Sequence, residues 1–397
     1  MNRGKSRKIR HTSARSARWR RTLPWVFIAV GVASSAPWCG AHRRAADVLR
    51  RFGGQPPNAL ATADRGVDEI EERDERRAGD PEDQAPSRLR WYVPRGVDDA
   101  PGLVLVHGIH RLAVDEPRLI RFARALAANG VIVLTPEVRE LADYRVDARS
   151  IDTIGAAART LRAKVSRKVG VMGMSFAGGL SLLTACDPRF EGDIGMVVAV
   201  GAHDDAARVA RFFATSRIAE PGGTIVSVEA HGYGVLVFAY AHADRFFPME
   251  DRAAARQAIG AWLAGERDQA RTVAGGSSEE SRVLLAALFD RSLDRIAEPF
   301  LAAVDSEAAA LATISPRGRL DHLRAPVFLL HGAGDTVIPP AETQWLARDV
   351  PTPALRDVLI SRALVHVEPG ARATWYEQWE LVHFVADVLR ELDHARR

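Results

Sequence analysis

Lys168-Val169-Gly170-Val171-Met172-Gly173-Met174-Ser175-Phe176-Ala177-Gly178-Gly179 is the stretch that decides the fold of this 397-residue chain. A β-branched apolar run enters Gly173-Met174-Ser175-Phe176-Ala177, and the helix-compatible Leu180-Ser181-Leu182-Leu183-Thr184-Ala185 follows at once. A strand that turns into a helix so quickly strains the backbone at its apex. It also demands small side chains two positions either side. Gly173 and Ala177 meet that demand, and Ser175 stands at the apex as a candidate nucleophile. Ala177 departs from the G-x-S-x-G pattern by one methyl group. The plain alternative is a buried serine in a glycine-rich turn with no chemistry.

Outward from this turn, buried strands alternate with amphipathic helices. Residues 89–94 alternate as a strand, and Gly102-Leu103-Val104-Leu105-Val106-His107-Gly108 is apolar on both faces, as central parallel strands are. Further strands are predicted at 131–136, 194–201, 326–332 and 355–361. Helices are predicted at 119–127, 151–165, 341–349 and 374–392. This alternation predicts an α/β fold, a parallel sheet with helices on both faces. Between 212 and 319 the rhythm breaks. Helices are predicted there at 253–263, 281–297 and 299–312, with Pro299 breaking or kinking the chain between the last two. The stretch reads as an inserted helical cap.

The net charge of +4 misleads, because nine of the 54 Lys and Arg residues crowd into the first 21 positions. The other 45 face 50 Asp and Glu, a balance of about −5, which gives nucleic acid no footprint. The apolar run 23–38 follows Arg20-Arg21 and carries small residues (Ala33, Ser34, Ser35, Ala36) near its end, the pattern of a secretory signal, a twin-arginine signal or an anchor. Everything after residue 41 is then expected outside the cytoplasm. Residues 42–87 are dense in charge and poor in apolar side chains, and read as a tether or a solvated helix. The expected organisation is a tail with signal or anchor (1–41), a charged linker (42–87), a core in two parts (88–211 and 320–397) and the cap (212–319). Cys39 and Cys186 build no disulfide framework and sit in no Cys/His cluster.

In open α/β sheets reactive groups gather beyond the carboxyl ends of the strands. Three such ends carry Ser175, Asp335 in Gly332-Ala333-Gly334-Asp335, and His366 in Ala363-Leu364-Val365-His366. An imidazole takes the serine proton while a carboxylate holds its tautomer. Asp204 or Asp205 is the alternative acid. His383 and His394 compete with His366, although His383, among Trp379, Val382 and Phe384, reads as a packing residue. Backbone donors for an oxyanion are expected from Ile109, after Val106-His107-Gly108, and from Phe176, with His110 as the alternative to Ile109. His203, His231 and His242 read as structural or pocket-lining, and no spacing among them makes a metal site.

On His107-Gly108, Gly173-Met174-Ser175-Phe176-Ala177-Gly178, Gly332-Ala333-Gly334-Asp335 and His366, in that order, residues 88 to 390 resemble the α/β-hydrolase superfamily. The resemblance implies an eight-stranded, mostly parallel sheet and serine-based acyl transfer without a cofactor. The expected partner is a small-molecule acyl substrate, with membrane association through the N-terminal segment. A serine peptidase, a thioesterase, a lipase and a non-catalytic binding protein share the same pattern.

Overall fold

Strands that are apolar on both faces must be covered on both faces, and the chain alternates strand and helix to do so. The computed structural model describes residues 10–11, 37–57, 66–74, 87–365, 368–369 and 373–394. Its central strands are β1 (Arg10–His11), β2 (Val67–Asp74), β3 (Ser87–Pro94), β4 (Gly102–Val106), β5 (Ile132–Pro136), β6 (Val169–Met174) and β7 (Ile194–Val200). A short hairpin of β8 (Arg217–Ala219) and β9 (Ile225–Ser227) stands apart, and β10 (Val327–Gly332) and β11 (Leu355–Ser361) complete the sheet. The spatial order is β1-β11-β10-β7-β6-β4-β5-β3-β2. Pairing is parallel from β1 to β5, and antiparallel where β3 meets β5 and β2. The sheet thus has the eight strands expected plus the two-residue β1.

Period-2 alternation splits the core. Leu103, Leu105, Met172, Val198 and Leu330 face the helices Pro37–Phe52, Pro117–Ala128 and Trp375–His394. Val104, Val106, Val171, Val197 and Leu329 face Arg149–Val165, Phe176–Cys186 and Ala206–Thr215.

The stretch expected to be a charged tether contributes two packed elements. Helix Pro37–Phe52 buries Ala41, Ala45 and Val48, a stripe at helical spacing hidden among arginines. Its Arg44 pairs with Asp393 at 2.6 Å, and its Asp47 accepts from Asn129 at 2.9 Å. The acidic side chains of β2 meet basic partners on β3 and beyond. Glu71 bridges Arg88 and Arg90, each at 2.9 Å, Glu72 accepts from the Trp91 indole at 2.9 Å, and Glu69 reaches Arg124 at 2.5 Å. Charge on an edge strand also discourages further pairing. Among the described residues no helix is long and apolar enough to cross a membrane, and the run 23–36 lies outside them.

Between β7 and β10 the chain is helical apart from the β8–β9 hairpin, with long helices at Gly232–Ala241, Arg252–Leu263, Arg267–Gly275, Glu279–Asp290 and Leu293–Ser306. The expected break at Pro299 falls elsewhere. Pro299 lies inside Leu293–Ser306, and the interruption is at Arg291, which closes the preceding helix in a left-handed conformation (φ 57°).

Candidate active site

Ser175 sits between the end of β6 and the first turn of Phe176–Cys186 with φ 56° and ψ −132°. That region is strained for any residue with a Cβ, and such strain gathers at functional positions. The turn is held by Ser175 N–H donating to Val200 (2.7 Å) and Gly178 N–H donating to Ser175 (2.9 Å). A Cβ at Gly173 would fall 2.2 Å from the Ala177 carbonyl oxygen, so only glycine lets strand and helix cross here. Ala177 is fully buried, and its methyl group is accommodated. Ser175 is 7% exposed and lines a cavity of about 400 Å³.

The turn after β4 supplies the opposite wall. A Cβ on Gly108 would lie 3.4 Å from that of Ser175, which brings this backbone against the serine. The buried His107 ring fixes the next peptide. Its Nδ1 is 2.7 Å from the Gly108 carbonyl oxygen, which can only accept, while Nε2 accepts the Val138 N–H at 3.0 Å. Those two bonds set the neutral tautomer. Burial agrees, lowering the His107 pKa to about 4. Because the peptide is trans, the Ile109 N–H points away from His107. The following peptide is held at both ends, the Ile109 carbonyl by the Tyr233 hydroxyl (2.7 Å) and the His110 N–H by Leu141 (3.2 Å). The His110 amide is therefore already engaged. Phe176 opens its helix, where N–H groups lack helical acceptors.

Asp335 lies just past β10 and is 2% exposed. Its Oδ1 accepts the N–H groups of Val337 (2.8 Å) and Ile338 (3.0 Å). The fully buried His331 braces this loop, with Nε2 at 2.8 Å from the Ile338 carbonyl and Nδ1 at 2.6 Å from Thr343. Val337 from the same loop lines the Ser175 cavity. His366 lies outside the described residues. The pairs on either side of it, Leu364–Val365 and Glu368–Pro369, run antiparallel, and the former lies against β10.

The other candidates have structural partners. Asp204 is buried against Arg208 at 2.9 Å, and Asp205 caps Ala206–Thr215 and meets Arg317 at 2.8 Å. Burial pushes the Asp204 pKa up to about 7 against the pull of Arg208, with Glu342 adding to the rise. His383 packs on the first helix, its Nδ1 2.9 Å from Nε2 of His42, and His394 ends the last helix. His203 is buried against Phe176 and bonded to Ile314 (2.8 Å), and His231 caps Gly232–Ala241. His242 lines the cavity. Among the described residues no three His, Cys, Asp or Glu side chains converge as a metal ion needs. Sequence reasoning missed Tyr233 and Phe52, both cavity-lining. The first carries no motif, and the second lies in the stretch read as a tether.

No protein-family model and no curated protein sequence matches the chain. Solved structures similar to it include a Bacteroides ovatus chain named for dipeptidyl aminopeptidase IV (13% identity, TM-score 0.48), matching 85% of this chain and 37% of that one. Esterase B from Lactobacillus rhamnosis is similar at 16% identity and TM-score 0.46, over 89% of this chain and 92% of that one. Brefeldin A esterase, a bacterial homologue of human hormone sensitive lipase, is similar at 18% and 0.41, over 92% and 86%. Likeness so distant carries no argument about chemistry. The topology carries one about architecture. Counted along the chain without β1 and the separate β8–β9 hairpin, the strands lie in the order 1-2-4-3-5-6-7-8, with the serine turn after the fifth and Asp335 after the seventh. That arrangement is the α/β-hydrolase fold.

Proposed function

We propose that the protein is a serine hydrolase of carboxylic esters or related acyl compounds. The observation that carries this reading is the strained backbone of Ser175 on the wall of a cavity of about 400 Å³. In this mechanism His366 takes the proton of the Ser175 hydroxyl as its oxygen attacks the acyl carbon. Asp335 orients His366 and stabilises its cation. The N–H groups of Ile109 and Phe176 receive the oxyanion. The tetrahedral adduct collapses, and His366 passes its proton to the departing alkoxide. Water then repeats the sequence on the acyl-enzyme and releases the acid. A cavity of about 400 Å³ suits a small molecule better than a polypeptide. The catalytic part is exported, or held outside the cytoplasmic membrane, by the run 23–38.

A fluorophosphonate probe tests the chemistry directly. Labelling of the full chain, absent in Ser175→Ala together with a loss of at least ~10³ in ester turnover, is the expected result. Full activity in Ser175→Ala ends the proposal.

A further inference from the structure

The face of the sheet that packs on the first and last helices holds a second cavity, of about 110 Å³. Leu103, Leu126, Met172, Val198, Leu381 and Val385 are among the side chains that wall it. Its walls offer water few of the two to four polar partners it needs, so the space favours apolar guests. Three side chains, Phe52, Phe122 and Met174, line both this cavity and the one holding Ser175. The Phe52 and Phe122 rings stand 5.0 Å apart at 59° to one another. Met174 immediately precedes the nucleophile of the proposed reaction, and its unbranched thioether swings with little cost.

We infer that the distal methylenes of an acyl group carried on Ser175 enter this second cavity past Met174, beside the contacting rings of Phe52 and Phe122, and that the substrates are esters of linear medium-chain acids. The inference rests on the acyl-enzyme reading above and adds the substrate class to it. The occupant follows from the three side chains shared with the serine's cavity and from the apolar walls. The two rings are in contact, so the way in is past the flexible Met174 thioether, and that constriction admits an unbranched chain. Each methylene buried there contributes roughly fourfold to kcat/KM.

The test is a p-nitrophenyl ester series from acetate to dodecanoate, run on the full chain and on Val385→Phe, which fills the second cavity from the last helix. The decanoate-to-acetate ratio of kcat/KM should fall at least tenfold in the variant. An unchanged ratio overturns the inference. Should Val385→Phe not fold, the wild-type chain is labelled with a decyl fluorophosphonate carrying a terminal bromine, and the anomalous signal of its crystals is located. Bromine beside Leu103, Val198 and Leu381 upholds the inference. Bromine on the opposite side, beside Phe213 and Val237, overturns it. An ethyl fluorophosphonate separates the two levels. If it labels Ser175, only the chain compartment is at stake, and if it does not, the hydrolase reading falls and takes this inference with it.

Discussion

The hydroxyl of Tyr233 donates to the carbonyl oxygen of Ile109 over 2.7 Å, joining residues 124 positions apart. It ties helix Gly232–Ala241 to the turn after β4 that carries Ile109. Tyr233→Phe would leave a partly buried carbonyl without its donor, at about 1 kcal/mol, and loosen that turn. The expected outcome is a fall of about tenfold in kcat on a short ester with KM nearly constant, smaller than the ~10²–10³ that follows loss of an oxyanion donor. Steady-state kinetics decides. A raised KM at unchanged kcat would assign Tyr233 to substrate binding instead.

Strain at Ser175 should be recoverable as stability. Ser175→Gly places at φ 56° the residue that tolerates it and relieves about 1–3 kcal/mol. The variant should be inactive and melt about one to several degrees higher than the wild type by calorimetry. A lower Tm would show that the apex is not strained.

Arg208 sits between two buried acids, 2.5 Å from Glu342 and 2.9 Å from Asp204. Arg208→Met leaves both without that cation and should cost about 3–5 kcal/mol in denaturant titration. Asp204, with its pKa raised to about 7 by burial, gives a pH signature. A carboxyl raised in the fold favours the folded state fully at acid pH and loses that contribution as pH climbs through 7. The Tm of Asp204→Asn should therefore gain on the wild type between pH 5 and pH 8. A constant difference would contradict this.

His107 has the opposite sign. Burial holds its pKa at about 4, below the ordinary 6.5, and His203 is shifted the same way. Stability from such a group is complete above 6.5 and drains as pH falls from there toward 4, the range in which the unfolded chain holds the proton and the folded one does not. His107→Asn keeps a donor and an acceptor without a titrating ring. Its Tm should fall less than that of the wild type between pH 7 and pH 4. An equal fall would place the acid sensitivity elsewhere.

Strands β4, β6, β7 and β10 and the helices around them were legible because doubly buried strands and amphipathic helices write their periods plainly. The serine turn was legible because its geometry admits only small neighbours such as Gly173. Strand β2 and the first helix were not, because charge density reads as disorder when the partner is unknown. Glu69, Glu71 and Glu72 are matched by Arg124, Arg88, Arg90 and Trp91, and no local pattern announces that match. Tyr233 was hidden for the same reason, its partner being distant along the chain. Pro299 was over-read, since the left-handed Arg291 ends the preceding helix instead.

Phe52 closes one side of the serine's chamber, and its helix is stapled to the far end of the chain through Arg44 and Asp393. Truncation from the N-terminus would therefore meet a hard stop. Removal of the first 36 residues would spare the staple, whereas a chain cut back to residue 88 would be a vessel with one side missing, its contents open to water.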